Sequence, residues 1–197
     1  MAIYFTADTH FGHVGIFRNF CKQRSKTFKS LDAMDAALLA NLAAALRSPE
    51  DELYHLGDVV FGGVEEVKRI ADRIGKMPGR KFLIPGNHDD EKKLAILRSA
   101  FTILPPLWET DKRVGKESMH LVLCHYPLLT WNEVYGGALH FHGHVHGRID
   151  PDKRRIDVGV DVPDWGFAPA RLEYIVQRMK IARDWVNPEP DRLRDED

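Results

Sequence analysis

Apolar residues in this chain come in short runs, and the runs stop at polar clusters. Ile3 to Ala7 ends at Asp8, which reads as a buried strand before the loop Asp8-Thr9-His10-Phe11-Gly12-His13. Leu53 to Leu56 runs into Gly57-Asp58, and Lys81 to Ile84 into Pro85-Gly86-Asn87-His88-Asp89-Asp90. Between these strands the period becomes helical. Leu31, Met34, Leu38, Leu42 and Leu46 recur at spacings of three and four, predicting a helix from an N-cap at Ser30 through Arg47. Val67, Ile70, Ala71 and Ile74 predict a second over Val64 to Ile74, closed by Gly75. A third, short helix is expected over Glu91 to Ser99. Val14 to Phe20 reads as a short helix or an ordered loop, and Cys21 to Lys29 as polar and basic. The order is β-α-β-α-β-α.

Past Phe101 the helical period fades. Phe101 to Leu104, Leu107 to Thr110, Met119 to Leu123, Leu139 to Phe141 and Arg155 to Val160 read as consecutive strands. A final helix falls within Pro169 to Val186, starting at Arg171. The shift near Phe101 predicts a change of sheet inside one domain over residues 1–186. Residues 187–197 read as a charged, frayed tail.

Composition narrows the classes. The 197 residues suit one domain, and 28 basic against 29 acidic side chains leave a net charge of −1. No bulk charge draws the chain to nucleic acid or an anionic membrane. The basic groups Lys22-Arg24-Lys26-Lys29, Lys76-Arg80-Lys81, Lys92-Lys93 and Lys153-Arg154-Arg155 are scattered and read as solvated surface. Cys21 and Cys124 cannot build a disulfide framework, which suits a reducing, cytoplasmic setting. Met1 to Phe5 lacks the features of a signal peptide, and no window approaches the roughly 18 apolar residues of a membrane span. Ten histidines stand out, and they are unevenly spread.

Five strands end in Asp, His or Asn: Asp8 with His10, Asp58, Asn87 with His88, His125, and His144 with His146. In layered α/β folds such ends converge on one edge. Taken singly, each block has a plainer reading. Gly86-Asn87-His88-Asp89, for example, is a turn and helix start with Asn87 or Asp89 as cap. Together they offer seven nitrogen and oxygen donors: Asp8, His10, Asp58, Asn87, His125, His144 and His146. Imidazole with carboxylate and amide suits manganese, iron, cobalt, nickel or zinc, and suits calcium poorly. Seven ligands exceed one open catalytic ion. They suit two divalent metals about 3.5–4 Å apart sharing a carboxylate. Two such cations outweigh two carboxylates and a hydroxide by one positive charge, which favours a phosphate anion. The chemistry expected is attack of metal-activated hydroxide on phosphorus, with His88 supplying a proton to the leaving oxygen.

These blocks resemble the calcineurin-like metallophosphoesterase superfamily: Asp8-Thr9-His10, Gly57-Asp58, Gly86-Asn87-His88-Asp89, His125 and Gly143-His144-Val145-His146. The resemblance implies a four-layer α-β-β-α sandwich of two mixed sheets, the C-terminal segment completing the second sheet. It implies Asp8, His10 and His146 on one metal, Asn87, His125 and His144 on the other, Asp58 between them and His88 as general acid. Manganese is the first expectation among manganese, iron, zinc, nickel and cobalt. Ser/Thr protein phosphatases of this superfamily carry Gly-Asp-x-Val-Asp-Arg-Gly, whereas here stands Gly57-Asp58-Val59-Val60-Phe61-Gly62-Gly63. The second Asp and the phosphate-binding Arg are missing, so Asp89 is the candidate support for His88. The chain is more similar to small, uncapped bacterial and phage-type members.

The expected activity is hydrolysis of a small-molecule or nucleotide phosphodiester. A phosphomonoesterase is the alternative, and a catalytically silent metal-binding scaffold the remote one. Nucleic acid is the less favoured partner, no membrane is expected, and the oligomeric state stays open. Beside the site, His13 either contacts the substrate phosphate or caps a loop, and Arg18 either reaches a phosphate oxygen or faces solvent. Phe11, Phe17 and Phe20 form either an aromatic wall or core. Trp131 either stacks on a nucleobase or plugs the sandwich edge. His140 and His142 are expected either to point away from the metals or to support a ligand from behind, with His55 and His120 structural.

Overall fold

In a computed structural model, which describes residues 1–188, the early apolar runs form one sheet. Strands β1 (Ile3–Thr6), β2 (Glu52–His55), β3 (Arg80–Leu83) and β4 (Thr102–Ile103) lie parallel in the order β4-β3-β2-β1. Parallel neighbours need crossovers, and helices supply them: α1 (Lys22–Thr27) and α2 (Leu31–Ala45), then α3 (Val64–Gly75), then α4 (Glu91–Leu97). Ser30 caps α2, its side chain accepting from the Ala33 amide at 3.1 Å. Asp90, rather than Asn87 or Asp89, caps α4 through the Lys93 amide. Met34, Leu38 and Leu42 of α2 and Val67, Ile70 and Ile74 of α3 bury the faces their spacing predicts, together with Leu53 and Leu83 of the sheet.

The second sheet has the order β5-β6-β7-β8, built from β5 (Leu107–Val114), β6 (Glu117–Cys124), β7 (Leu139–His142) and β8 (Arg155–Asp157). β5 and β6 form an antiparallel hairpin, and the later pairs are parallel. Successive residues of β6 face opposite ways, as a strand requires. Leu121 and Leu123 enter the core between the sheets with Phe5, Phe141 and Ile156. Val122 faces outward against Trp131, Val134 and Ala138, so the connection between β6 and β7 covers that side as the fourth layer. The sheets join at one edge, where Ala7 bridges Gly159 and the Val160 amide donates to the Ala7 carbonyl at 3.1 Å.

Two expectations need correcting. The sheet does not change at Phe101: Thr102 and Ile103 still pair with Phe82 and Leu83, and the crossing to the second sheet follows. The C-terminal part does not stay with the second sheet after β8. Strand β9 (Ala170–Arg171) returns antiparallel to β1. Two-residue strands carry no periodicity to read. The final helix α5 is Leu172–Lys180, inside the expected span and with Arg171 at its N-cap. Most of the proposed tail lies outside the described residues. Among the described residues no helix is long and apolar enough to cross a membrane.

The inter-sheet core predicts a large penalty at Phe141, which is fully buried and meets Phe5 edge-on at 5.0 Å between ring centres. Phe141→Ala is expected to cost about 3–5 kcal/mol, read from the shift in the urea unfolding midpoint.

Candidate metal centre

All the clustered polar residues lie just past strand ends at the edge where the sheets meet. The backbone there is unusual. Asp8, His10, Asp58, His144 and His146 have φ between 49° and 70°, the left-handed region that non-glycine residues rarely occupy. Such conformations cost of order 1–3 kcal/mol each and gather where a site needs a particular side-chain direction. Gly143 shows how closely the chains approach. A Cβ there would stand 2.6 Å from Asp8 Oδ2 and 2.5 Å from the Ala7 Cβ.

The sequence-predicted donors meet at this edge. Asp58 Oδ2 lies 3.5 Å from His10 Nε2 on one side and 3.5 Å from His125 Nε2 on the other. Asp8, His10 and His146 offer atoms within 4.8 Å of one another, as do Asp8, Asp58 and His125. Asn87 Oδ1 and His144 Nδ1 lie 3.1 Å and 3.3 Å from His125 Nε2. Asp8 Oδ1 and His10 Nε2 are buried without a hydrogen-bond partner, a condition that a bound cation would relieve. Burial raises Asp8 to about 7 and holds His10 well below its ordinary value. Burial also raises the cost of charging Asp58, but hydrogen bonds from His125 and the His88 amide keep it strongly acidic. At His146 burial is outweighed by the Asp161 carboxylate, Cys21 and Asp8, which raise it to about 10. A cluster that draws a proton onto a buried imidazole suits a cation. The mixed nitrogen and oxygen donors therefore fit divalent metal ions.

The supporting layer contains residues the sequence reading missed. Arg24, read there as solvated, is fully buried. It donates to both oxygens of Asp161 at 2.7 and 2.6 Å, to the Asp8 carbonyl at 2.6 Å and to the Thr9 carbonyl at 2.9 Å. Asp161 Oδ2 also meets His146 Nδ1 at 2.7 Å, leaving Nε2 for a ligand role. His125 Nδ1 is likewise fixed by the Leu56 carbonyl at 2.7 Å. Asp161 ends the run Val158-Gly159-Val160, so the rule that found the other acidic strand ends could have found it. Arg24 carries no comparable signal.

Asp89 does not support His88. Its carboxylate accepts from the amides of Asp58, Val59 and Gly86 at 2.7, 3.1 and 3.0 Å, tying two loops together. Both of its oxygens are engaged by backbone amides, and no bond joins either to the His88 imidazole among the described residues.

The family model for calcineurin-like phosphoesterases matches residues 1–118. The chain belongs to this family. The match takes in Asp8, His10, Asp58, Asn87 and His88, while His125, His144 and His146 lie beyond it. The Gene 66 proteins of Mycobacterium phages L5 and D29 are 26% and 27% identical over 199 and 184 residues. Those alignments cover 86% and 81% of this chain and 90% and 87% of the phage proteins. The Aquifex aeolicus protein AQ665 has a similar structure, with a TM-score of 0.64 and 28% identity over 89% of this chain and 98% of that one. The family performs metal-dependent phosphoester hydrolysis, and the two mixed sheets have its fold.

Around the calcineurin-like centre, the remaining candidates separate. His13 reaches His10, with Nδ1 atoms 3.3 Å apart, and stacks on Phe61 at 3.7 Å between ring centres. His88 stands 5.3 Å from Phe61 and places Nε2 4.0 Å from Asp58 Oδ2. Arg18 is exposed on the π-helical turn Ile16–Phe20, and nothing in the structure ties it to the donors. Phe11 is core, Phe17 packs against it, and Phe20 is exposed. Trp131 is interior, donating to the Ala138 carbonyl, so the exposed ring beside His125 is Tyr126. His140 and His142 are buried on backbone carbonyls behind the site. His55 is buried against Thr9, whereas His120 sits between Glu109 and Asp111.

Two predictions follow from this support. Asp161→Asn keeps the shape but removes the carboxylate charge held against His146 Nδ1, and is expected to weaken divalent-metal binding about 10–100-fold in a chelator competition. Arg24→Met leaves Asp161 without its buried counter-ion and is expected to cost about 3–5 kcal/mol of folding free energy, measured by denaturant unfolding.

Proposed function

We propose that the chain is a dimetal phosphodiesterase. Asp8, His10 and His146 would hold one divalent ion, Asn87, His125 and His144 the other, with Asp58 shared. When bound, the two ions supply Lewis-acid charge and an acidified water for attack on phosphorus. Manganese is our expectation on the family resemblance, and the mixed donor set fits iron, cobalt, nickel and zinc equally. His88 is the proton donor to the leaving oxygen. Its backbone is fixed on both sides, the amide on Asp58 Oδ1 at 2.9 Å and the carbonyl on Lys93 Nζ at 2.7 Å. Asp89 acts on the reaction only by holding that loop.

The observation that carries the diester reading is the orientation of Arg24. A phosphomonoester dianion is well served by a forked guanidinium. The buried arginine behind Asp8 points inward and spends its donors on Asp161 and two carbonyls. The wall beside His10 is made of His13, Phe61 and His88. A singly charged diester asks less of such a wall.

With manganese loaded, a bis-aryl phosphate is expected to exceed the mono-aryl ester by about tenfold or more in kcat/KM, roughly 1.4 kcal/mol. A monoester preference overturns the diester reading and favours a small-molecule phosphatase. His88→Ala is expected to keep its metals by elemental analysis while losing about 10²–10⁴ in kcat, most on poor leaving groups. Loss of the metals instead would make His88 a ligand.

A further inference from the structure

The centre is arranged as a row with an exposed aromatic ring at each end. Phe61 stacks on His13 at 3.7 Å, and His13 Nδ1 is 3.3 Å from His10 Nδ1. His10 Nε2 is 3.5 Å from Asp58 Oδ2, which is 3.5 Å from His125 Nε2. Beyond His125 comes Tyr126, its ring centre 5.1 Å from His125 and 4.8 Å from His144. Phe61 is 38% exposed and Tyr126 43% exposed, so both residues reach solvent beside a polar centre, Phe61 with one ring face already on His13.

Resting on the phosphodiesterase reading, we infer that the substrate is a nucleotide phosphodiester with a base on each side of the scissile phosphate, the two bases packing at the Phe61 and Tyr126 ends. A diester seated at the middle of the row projects its two ester groups towards the two ends. Planar heterocycles gain from aromatic side chains at both, about tenfold or more in affinity per base. A glycerol or alkyl ester gains little there, and a cyclic nucleotide can use only one end. Lys93 Nζ, 5.4 Å from the Phe61 ring centre, adds a cation at that end. His88 stands at the same end, 5.3 Å from Phe61, so the P–O bond on the Phe61 side breaks. Water adds hydroxide to phosphorus, and the leaving oxygen takes the proton held by His88. The fragment at the Tyr126 end keeps the phosphate.

The test uses two diesters with one leaving group: thymidine 5′-(p-nitrophenyl) phosphate and methyl p-nitrophenyl phosphate, with manganese-loaded protein. The nucleoside ester is expected to exceed the methyl ester by about tenfold or more in kcat/KM, and Tyr126→Leu to reduce that ratio towards unity. Equal turnover of the two esters by the unmodified protein, or a ratio unmoved by Tyr126→Leu, overturns the inference and leaves the diesterase reading standing. Failure of both diesters beside rapid turnover of an aryl monoester removes both. Calorimetric titration with a dithymidine phosphorothioate reads the contacts without turnover. Weaker binding by Tyr126→Leu and Phe61→Leu, with metal content unchanged, supports the inference, and unchanged binding overturns it. A single-stranded oligonucleotide distinguishes a strand from a dinucleotide: steep weakening with salt marks a strand as the ligand.

Discussion

The buried pair of Arg24 and Asp161 is the constraint on which the rest of the centre depends. Arg24 holds the carbonyls of Asp8 and Thr9 while it holds Asp161, and Asp161 holds His146. One guanidinium therefore fixes the loop after β1 relative to the loops after β7 and β8. Buried ion pairs contribute little net stability, because desolvation offsets most of their attraction. Their value here is geometric. Asp8, His10 and His146 sit in left-handed backbone that would relax if it were not held from several sides. The edge contact of Ala7 with Gly159 brings β1 and β8 together, and the ion pair then sets where the side chains beyond them point.

The acidic residues near the edge divide by what they face. Asp8 and Asp58 each accept from one backbone amide, of His144 and His88, and keep the other oxygen among the imidazoles. Asp89 and Asp157 turn theirs to backbone amides: Asp89 to Asp58, Val59 and Gly86, Asp157 to Gly147 and Gly159. Asp35 of α2 does the same for the Gly12 amide, anchoring the end of the first loop to a helix. Carboxylates satisfied by amides stiffen loops that pack closely, so closely at Gly143 that a Cβ there would stand 2.6 Å from Asp8 Oδ2. The donors are thus presented by loops with the rigidity of the sheets behind them.

Much of this was legible in the sequence because each donor follows an apolar run. The strands, the N-cap at Ser30 and the convergence of Asp8, His10, Asp58, Asn87, His125, His144 and His146 could be read from position alone. Arg24 could not. It lies among Lys22, Lys26 and Lys29 in a stretch whose composition says solvent, and its partner Asp161 is 137 residues away. Burial of a lone charge is decided by tertiary contact, not local pattern. Asp89 misled for a related reason. Adjacency to His88 in the chain suggests partnership, yet consecutive side chains in a turn diverge, and this one points at the neighbouring loop. Strand β9 escaped because two residues have no period.

The same division of labour extends to the open side of the centre. On the proposed reading, residues in the recurring blocks would fix where phosphorus sits and which oxygen leaves, because they are the ones tied to strand ends. Phe61 and Tyr126 lie just past two of those blocks, after Gly57-Asp58 and immediately after His125, where the chain is already placed by the neighbouring donors. Their rings inherit the precision of the neighbouring donors without being donors themselves. Phe61 occupies the place where a second Asp would pair with the acid in Ser/Thr protein phosphatases, so a charged support is replaced by a flat apolar face against His13. That exchange removes negative charge beside His88 and adds a surface with affinity for planar groups. The reaction class then follows from the blocks, and on the proposed reading the choice among esters would follow from what stands one to three residues beyond them.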